Sequence, residues 1–153
     1  MAQEHEDEKF GHAKIEGEFR PKIKQGTYDL VFQHYETAKL FNGRALKLIL
    51  WFSVNTQGEY FGVKLPRFYN VKRIKGRTGK NGDFVLSPNC DFVREYAALF
   101  PLPSRLDRIP MSVFKNKIFI GGVRTVTNGF KQAKIPESLQ YSVIGDLNEI
   151  KKL

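Results

Sequence analysis

The chain has 153 residues, 41% hydrophobic and 27% charged, a composition that is typical of a folded domain and argues against wholesale disorder. Its single cysteine excludes an intramolecular disulfide and zinc sites that need several thiolates, and no stretch approaches the roughly 20 apolar residues that cross a bilayer. Lys and Arg total 25 against 16 Asp and Glu, and this net charge of +9 favours a polyanionic partner.

The first residues have the opposite charge to the rest of the chain. The charged residues among residues 1–10 are Glu4, Glu6, Asp7, Glu8 and Lys9. An acidic start does not resemble a secretory signal, so we expect a cytoplasmic protein with no membrane association. Residues 1–12 are predicted to be a disordered acidic tail that competes with nucleic acid for the basic surface. Residues 13–153 are predicted to form a single domain, with residues 13–25 as an extended lead-in.

Alternating apolar and polar residues predict three strands next. Residues 27–41 are rich in aromatic and β-branched side chains, and residues 45–54 place every second apolar residue on one face. Asn42-Gly43 is a hairpin turn signal because both residues tolerate positive φ. Residues 59–74 are predicted to be the third strand, in which Pro66 indicates an edge position or a bulge.

The second half of the chain contains the one clear helical pattern. Residues 77–83 are a glycine-rich basic loop, and residues 87–100 then carry aromatic residues at helical spacing, with Ser87 or Asn89 as the N-cap. A fourth strand is predicted at residues 117–127, where Gly121-Gly122 indicates a bulge or bend. A long polar loop at residues 128–140 leads to a final strand at residues 141–150.

The predicted order is three strands, one helix, a strand, a long loop and a strand. This is the connectivity of the OB fold, in which five antiparallel strands form a barrel and the helix lies between strands 3 and 4. We therefore expect a mainly β, OB-like barrel, with a β-sandwich or an α+β roll as alternatives. In OB folds, the loops between strands 1 and 2 and between strands 4 and 5 bind oligonucleotides.

The opening strands also resemble a known family. Gly26 and Tyr28 start the first strand, and Gly58, Glu59 and Gly62 belong to a glycine-acid-aromatic-glycine turn that precedes the third. With these features residues 26–65 resemble small phage-type single-stranded-DNA-binding proteins of the OB-fold class. The resemblance implies a non-enzymatic protein of a phage or mobile element. Such proteins in bacteria often end in an acidic tail that recruits partners, a feature that the basic end of this chain lacks.

Cations cluster in two acid-free runs, which lie between Glu59 and Asp83 and from Arg108 to Pro136, and aromatic residues are interleaved with the cations of the first run. Phosphates are bound by cations along a groove and bases by flat rings, so both runs are expected to border one site for single-stranded nucleic acid. The candidate residues are Trp51, Lys64, Arg67, Tyr69, Lys72, Arg73, Lys75, Arg77, Lys80, Arg124, Phe130, Lys131 and Lys134. Trp51, Tyr69 and Phe130 are the expected base-stacking residues. The alternative interpretation is a solvated strand face with its rings turned into the core.

No catalytic residue, cofactor or metal site is predicted. Residues 76–81 lack the glycine spacing and the Ser or Thr of a nucleotide-binding P-loop, and Cys90 is interpreted as a packed thiol. One alternative function is a protein-interaction or structural β-barrel whose exposed rings form the interface of a homo-oligomer. Another is a small metal-dependent nuclease that uses Glu149 with Asp83 or Asp146.

Overall fold

The computed structural model describes residues 11, 13, 20–129 and 132–152. The predicted tail therefore lies outside the described residues, apart from Gly11. The strands are β1 (Gly26–Leu40), β2 (Ala45–Val54), β3 (Lys64–Asn70), β4 (Arg73–Lys75), β5 (Gly79–Lys80), β6 (Asp83–Val85), β7 (Ile118–Val126) and β8 (Tyr141–Ile150). The helix α1 spans Asp91–Leu99, and short 3₁₀ helices span Ser112–Phe114 and Glu137–Leu139.

The main sheet is antiparallel and has the order β3-β2-β1-β7-β8, with β5 paired to β1. In chain order, α1 lies between β3 and β7. These features confirm a mainly β fold with an antiparallel sheet and, in the part of the chain that the structure describes, one α-helix. The end strands β3 and β8 contact each other. Among the described residues, however, they form no hydrogen-bonded pair, so the sheet is not closed into a barrel.

Alternation in β2 builds the core, as the sequence indicates. Leu48, Leu50, Phe52 and Val54 are no more than 1% exposed. They pack with aromatic residues of α1, the following 3₁₀ helix and β7. A bulge near Gln33 shifts the register of β1 against β2, so Tyr35 and Thr37 take over the inward phase from Phe32. This shift lets a strand of 15 residues curve while it pairs with both β2 and β7.

Helix α1 joins the end strands of the main sheet. Phe92 and Tyr96 are buried in the core, and on the same helix Glu95 reaches both strands. Its Oε2 accepts a hydrogen bond from Arg67 Nη2 on β3 at 2.6 Å, and its Oε1 accepts one from Leu147 N on β8 at 2.6 Å. The N-cap is Cys90, with no side-chain cap bond, so the prediction of Ser87 or Asn89 in that role is wrong.

The predicted third strand differs most from the structure. It begins at Lys64 and ends at Asn70, and the next residues form the separate β4-β6 hairpin instead of continuing the sheet. Pro66 lies on this edge strand, as predicted. The loop predicted at residues 77–83 also contributes β5. At Gly121 and Gly122 the β7-β8 register shifts, which confirms the predicted bulge.

None of the helices in the described part of the chain has the length and apolar character needed to span a membrane.

Candidate nucleic-acid interface

A cleft of about 570 Å³ lies between the β1-β2 turn and the β7-β8 loop. We call it the hairpin cleft. Phe68 of β3 and Lys47 of β2 line it beside Leu40 and Phe41 of the turn. The other lining residues are Arg20, Arg124, Thr125, Val126, Thr127, Asn128, Gln132, Tyr141 and Val143. The described residues that line this cleft include no carboxylate, so its charge is positive.

The chain leading into β1 fixes one cation at the rim. Ser142 of β8 is 1% exposed, and its hydroxyl accepts a hydrogen bond from Ile23 N and donates one to Ile23 O. Ser142 N also donates to Pro21 O. Residues 14–19 of the predicted lead-in lie outside the described residues. The anchoring of the residues that follow holds the guanidinium of Arg20 4.4 Å from the centre of the Tyr141 ring. The cation–π contact leaves the charge of Arg20 available to an anion.

Lys47 provides a second cation, deeper in the cleft. Its Nζ donates to Asn70 Oδ1 across the β2-β3 pair. Partial burial lowers the pKa of Lys47 below its ordinary value, because water is removed from the ammonium group. A phosphate beside this group would favour the charged form and restore part of the lost solvation.

Arg124 of β7 is the third cation, and a glycine allows its position. A Cβ at Gly145 would lie 3.3 Å from Arg124 Cδ, so the absence of that atom lets the side chain lie across β8. The ion pairs within the described chain involve Arg67, Arg94, Arg105 and Lys151. Arg20, Lys47 and Arg124 therefore have no carboxylate partner among those residues.

Aromatic rings accompany these cations. Phe68 and Tyr141 are half-buried, while Phe41 at the turn is 49% exposed. Phe41 has φ 54°, in the left-handed region that bulky residues rarely adopt. Its ring is therefore presented at the cleft in a backbone conformation that costs free energy, a combination that is typical of functional positions.

The β7-β8 loop, the other wall of the cleft, is held by backbone hydrogen bonds. Gly129 N donates to Ala133 O at 2.7 Å and Ile135 N to Thr127 O at 2.8 Å, and Asn128 and Lys134 form an isolated bridge. Lys134, a predicted site residue, is exposed on this loop. Phe130 and Lys131 lie outside the described residues, so their predicted roles stay predictions.

Two predicted site residues, Arg67 and Tyr69, are placed in the interior instead. Tyr69 is 2% exposed and packs edge-on against Phe92 at 5.1 Å, so its ring is not available to stack a base and that expectation is wrong. Arg67 pairs with Glu95 and lies 4.4 Å over the Tyr69 ring. Burial alone would lower the pKa of Arg67, but Tyr69 and Glu95 together raise it. Arg67 is therefore engaged by Glu95 and Tyr69 and is not free to bind phosphate.

Trp51 lies on the outer face of the sheet, as its strand phase predicts. Its ring stacks on His34 at 6.3 Å and 21°, and Nε1 donates to Glu36 Oε1 at 2.9 Å. The indole is half-buried, with its one polar atom already bonded. Lys64 is exposed opposite Ser53 on the same outer face and does not line the hairpin cleft.

The remaining predicted cations lie around the β4-β6 hairpin. Arg73, Lys75 and Lys80 line two adjoining cavities of about 730 and 680 Å³, which share Tyr35, Ile109 and Met111. We call these cavities together the connector groove. Lys72 and Arg77 are exposed but line neither region. Of the predicted residues in the described chain, only Arg124 therefore lines the hairpin cleft.

Sequence reasoning missed Arg20, Lys47 and Tyr141. Lys47 lies on the same face of β2 as Trp51, and its alternation with Leu48 was the signal that could have found it. Arg20 and Tyr141 are far apart in the chain and meet only through the Ser142–Ile23 hydrogen bonds, which no local pattern indicates.

The residues of the nuclease alternative are not brought together. Glu149 lies on β8 and Asp83 on β6, strands that do not pair, and Asp146 Oδ1 accepts a hydrogen bond from Gly122 N. No group of three or more His, Cys, Asp or Glu residues suited to a metal occurs within the described part of the chain. Comparisons of the chain with protein-family models, curated proteins and solved structures found no match.

Proposed function

We propose that this protein binds single-stranded nucleic acid in the hairpin cleft. The observation that carries the proposal is the convergence of Arg20, Lys47 and Arg124 beside Phe68 and Tyr141, with no lining carboxylate among the described residues. Cations along a groove bind the phosphate backbone, and neighbouring rings stack bases without strong sequence preference. The proposed role is non-enzymatic.

The position of the cleft in the sheet supports the same role. In OB folds, oligonucleotides bind over strands 2 and 3 between the loops that join strands 1 to 2 and 4 to 5. Here β2 and β3 supply Lys47 and Phe68, and the corresponding turn and loop supply Phe41 and Asn128. An OB-like barrel that opens between β3 and β8 is therefore part of the proposal, as is the resemblance to phage-type single-stranded-DNA-binding proteins.

A competing proposal is a homo-oligomer built on exposed rings. The exposed ring of Phe61 favours it, because this side chain is 53% exposed in the single chain and an interface between copies would cover it. A size-exclusion profile that shows a stable oligomer, unchanged by oligonucleotide, would support that alternative over nucleic-acid binding.

The direct test is the double variant Arg20→Ala/Arg124→Ala, titrated with fluorescently labelled oligo-dT across a range of salt concentrations. Each phosphate contact to a single strand contributes about 0.7 to the slope of log affinity against log salt, so the slope should fall by about 1.4. Lys24→Ala/Lys152→Ala removes the same charge from exposed residues outside the cleft and should leave the slope nearly unchanged. Equal effects of the two double variants would refute the assignment of the site.

A further inference from the structure

The connector groove carries cations that the proposed site does not use. Arg73, Lys75 and Lys80 reach it from the first acid-free run, and Arg108 and Lys115 from the second. All of these side chains belong to exposed residues, and none forms an ion pair with a residue that the structure describes. The cations of the two acid-free runs therefore converge, as expected, but mainly at the connector groove and not at the hairpin cleft.

Its chemistry suits phosphates better than bases. Asp107 accepts hydrogen bonds from Arg105 Nε and Nη2 at 3.2 and 2.8 Å, and Asp83 faces Lys75 across the β4-β6 pair, so the cations outnumber the available carboxylates. The rings of Tyr35 and Phe84, which line the groove, are half-buried. Tyr35 packs edge-on with Phe84 at 6.3 Å and 81°, which leaves the ring pair engaged with itself.

The outer face of the sheet connects the groove with the hairpin cleft. His34 lines the groove and stacks on Trp51, which pairs with Pro66 of β3. Two residues along, the next pair on the same face is Ile49 with Phe68, and Phe68 lines the hairpin cleft. A nucleic-acid strand that crosses this face would run from the connector groove past the Trp51 indole to the hairpin cleft.

We propose that the connector groove binds the phosphate backbone of the same nucleic-acid strand that occupies the hairpin cleft, with the strand crossing the outer face over Trp51. The inference rests on the proposed function, and it adds a second contact region that lengthens the bound segment. Single barrels of this class bind about 4 to 16 nucleotides, so the two regions together predict a length at the upper end of this range.

The test compares labelled oligo-dT of about 4 and about 16 nucleotides on the full chain, since these are the two ends of that range. The variant is Lys75→Ala/Lys80→Ala, and the matched control is Lys24→Ala/Lys152→Ala, which changes the same residue types outside both regions. The variant should lower the salt slope for the longer strand by about 1.4 and leave the shorter one unchanged. The single tryptophan gives a second readout, because only the longer strand should quench Trp51 fluorescence.

The outcomes separate the two proposals. Binding of both lengths by the wild type with no effect of Lys75→Ala/Lys80→Ala would overturn the inference and leave the hairpin cleft standing. An equal loss for both lengths, or an equal loss in the control variant, would also overturn it. Failure of the wild type to bind either length would refute nucleic-acid binding itself.

Discussion

The hairpin cleft and the connector groove are both basic, but they are built in different ways. The cleft takes its cations from the lead-in and from long strands of the main sheet, and no carboxylate lines it among the described residues. The groove takes its cations from short strands and from the segment before β7. Two carboxylates, Asp83 and Asp107, also line it. The acid-free runs, which stand out in the sequence, mainly mark the groove. The cleft combines single cations that are separated in the chain and brought together by the sheet.

The largest effect is expected from opening the sheet between β3 and β8, because both strands contribute residues to the cleft but not to the groove. Glu95→Ala removes the acceptor of both Arg67 and Leu147 N, and it leaves the Arg67 charge buried with only 13% of its side chain exposed. Breaking such a pair costs about 3–5 kcal/mol of unfolding free energy, measurable by urea denaturation. Because the groove does not include this contact, its structure should change less than the structure of the cleft.

The control for this change is Arg94→Ala on the same helix. Arg94 pairs with Asp91, but their side chains are 66% and 62% exposed, so the loss should be only about 0–1 kcal/mol. A similar loss from Glu95→Ala and Arg94→Ala would show that the contact with β3 and β8 is not important for stability.

A second change sharpens the comparison by altering the cleft alone. Phe41→Asn removes an aromatic ring at the turn and places there a residue that tolerates φ 54°. Loss of a stacked base should weaken oligo-dT binding by about 1–3 kcal/mol, measured by fluorescence anisotropy. The melting temperature should stay within roughly 4 °C of the wild type, because relief of backbone strain offsets the lost ring contacts. Unchanged affinity would exclude Phe41 as a stacking residue.

A third change asks whether Tyr69 belongs to the core alone. Burial first, and the charge of Glu95 second, raise the pKa of Tyr69 well above its ordinary value. A raised folded-state pKa contributes stability that is complete below the unfolded pKa of about 10 and is lost as the pH rises toward the folded value. Each pH unit in that window should therefore lower the unfolding free energy by up to about 1.4 kcal/mol.

Tyr69→Phe should reduce this alkaline loss, as followed by denaturation between about pH 9 and 11. Nucleic-acid binding at neutral pH should not change, since the ring lies in the core. Weaker nucleic-acid binding by a stable Tyr69→Phe variant would show that Tyr69 contributes to the interface after all.

The smallest expected effect concerns the acidic residues before the cleft. Arg20, the first residue of the continuous described segment, lies at its rim, and the acidic residues that are predicted to compete with nucleic acid precede it in the sequence. Deleting residues 1–10 should tighten oligo-dT binding by less than about tenfold at low salt, with the gain lost at high salt because exposed charges are screened. Identical affinities of the two chains at low salt would refute competition by this segment.

Most strands could be predicted because their signals are local. Alternation gave β2 its bounds, and Asn42-Gly43 and Gly121-Gly122 marked a turn and a bulge that the structure contains. The strand predicted at residues 59–74 was too long at both ends. Residues 59–62 form a turn, and Arg73 and Ile74 keep a strand-like composition while their partner is β6 and not β2. Composition does not specify which strand a segment pairs with.

The site was harder to predict because charge in the sequence does not show which cations stay free. Arg67 and Lys75 belong to the same acid-free run, yet Arg67 meets Glu95 from a helix that is 28 positions away in the chain. Tyr69 has the phase of Leu65, which is fully buried, and this comparison within β3 could have placed its ring inside. Arg20 carries no local signal at all.

The Ser142–Ile23 hydrogen bonds have a practical consequence for anyone who labels this molecule. They hold the chain at the rim of the hairpin cleft at Arg20, whose guanidinium lies 4.4 Å from the Tyr141 ring. An affinity handle or dye attached directly before Arg20 would therefore begin at the rim of the hairpin cleft, and a polyhistidine peptide there would add its own charge to a binding titration. Reporters are better installed at Asn89, an exposed position ahead of α1 that lines neither basic region.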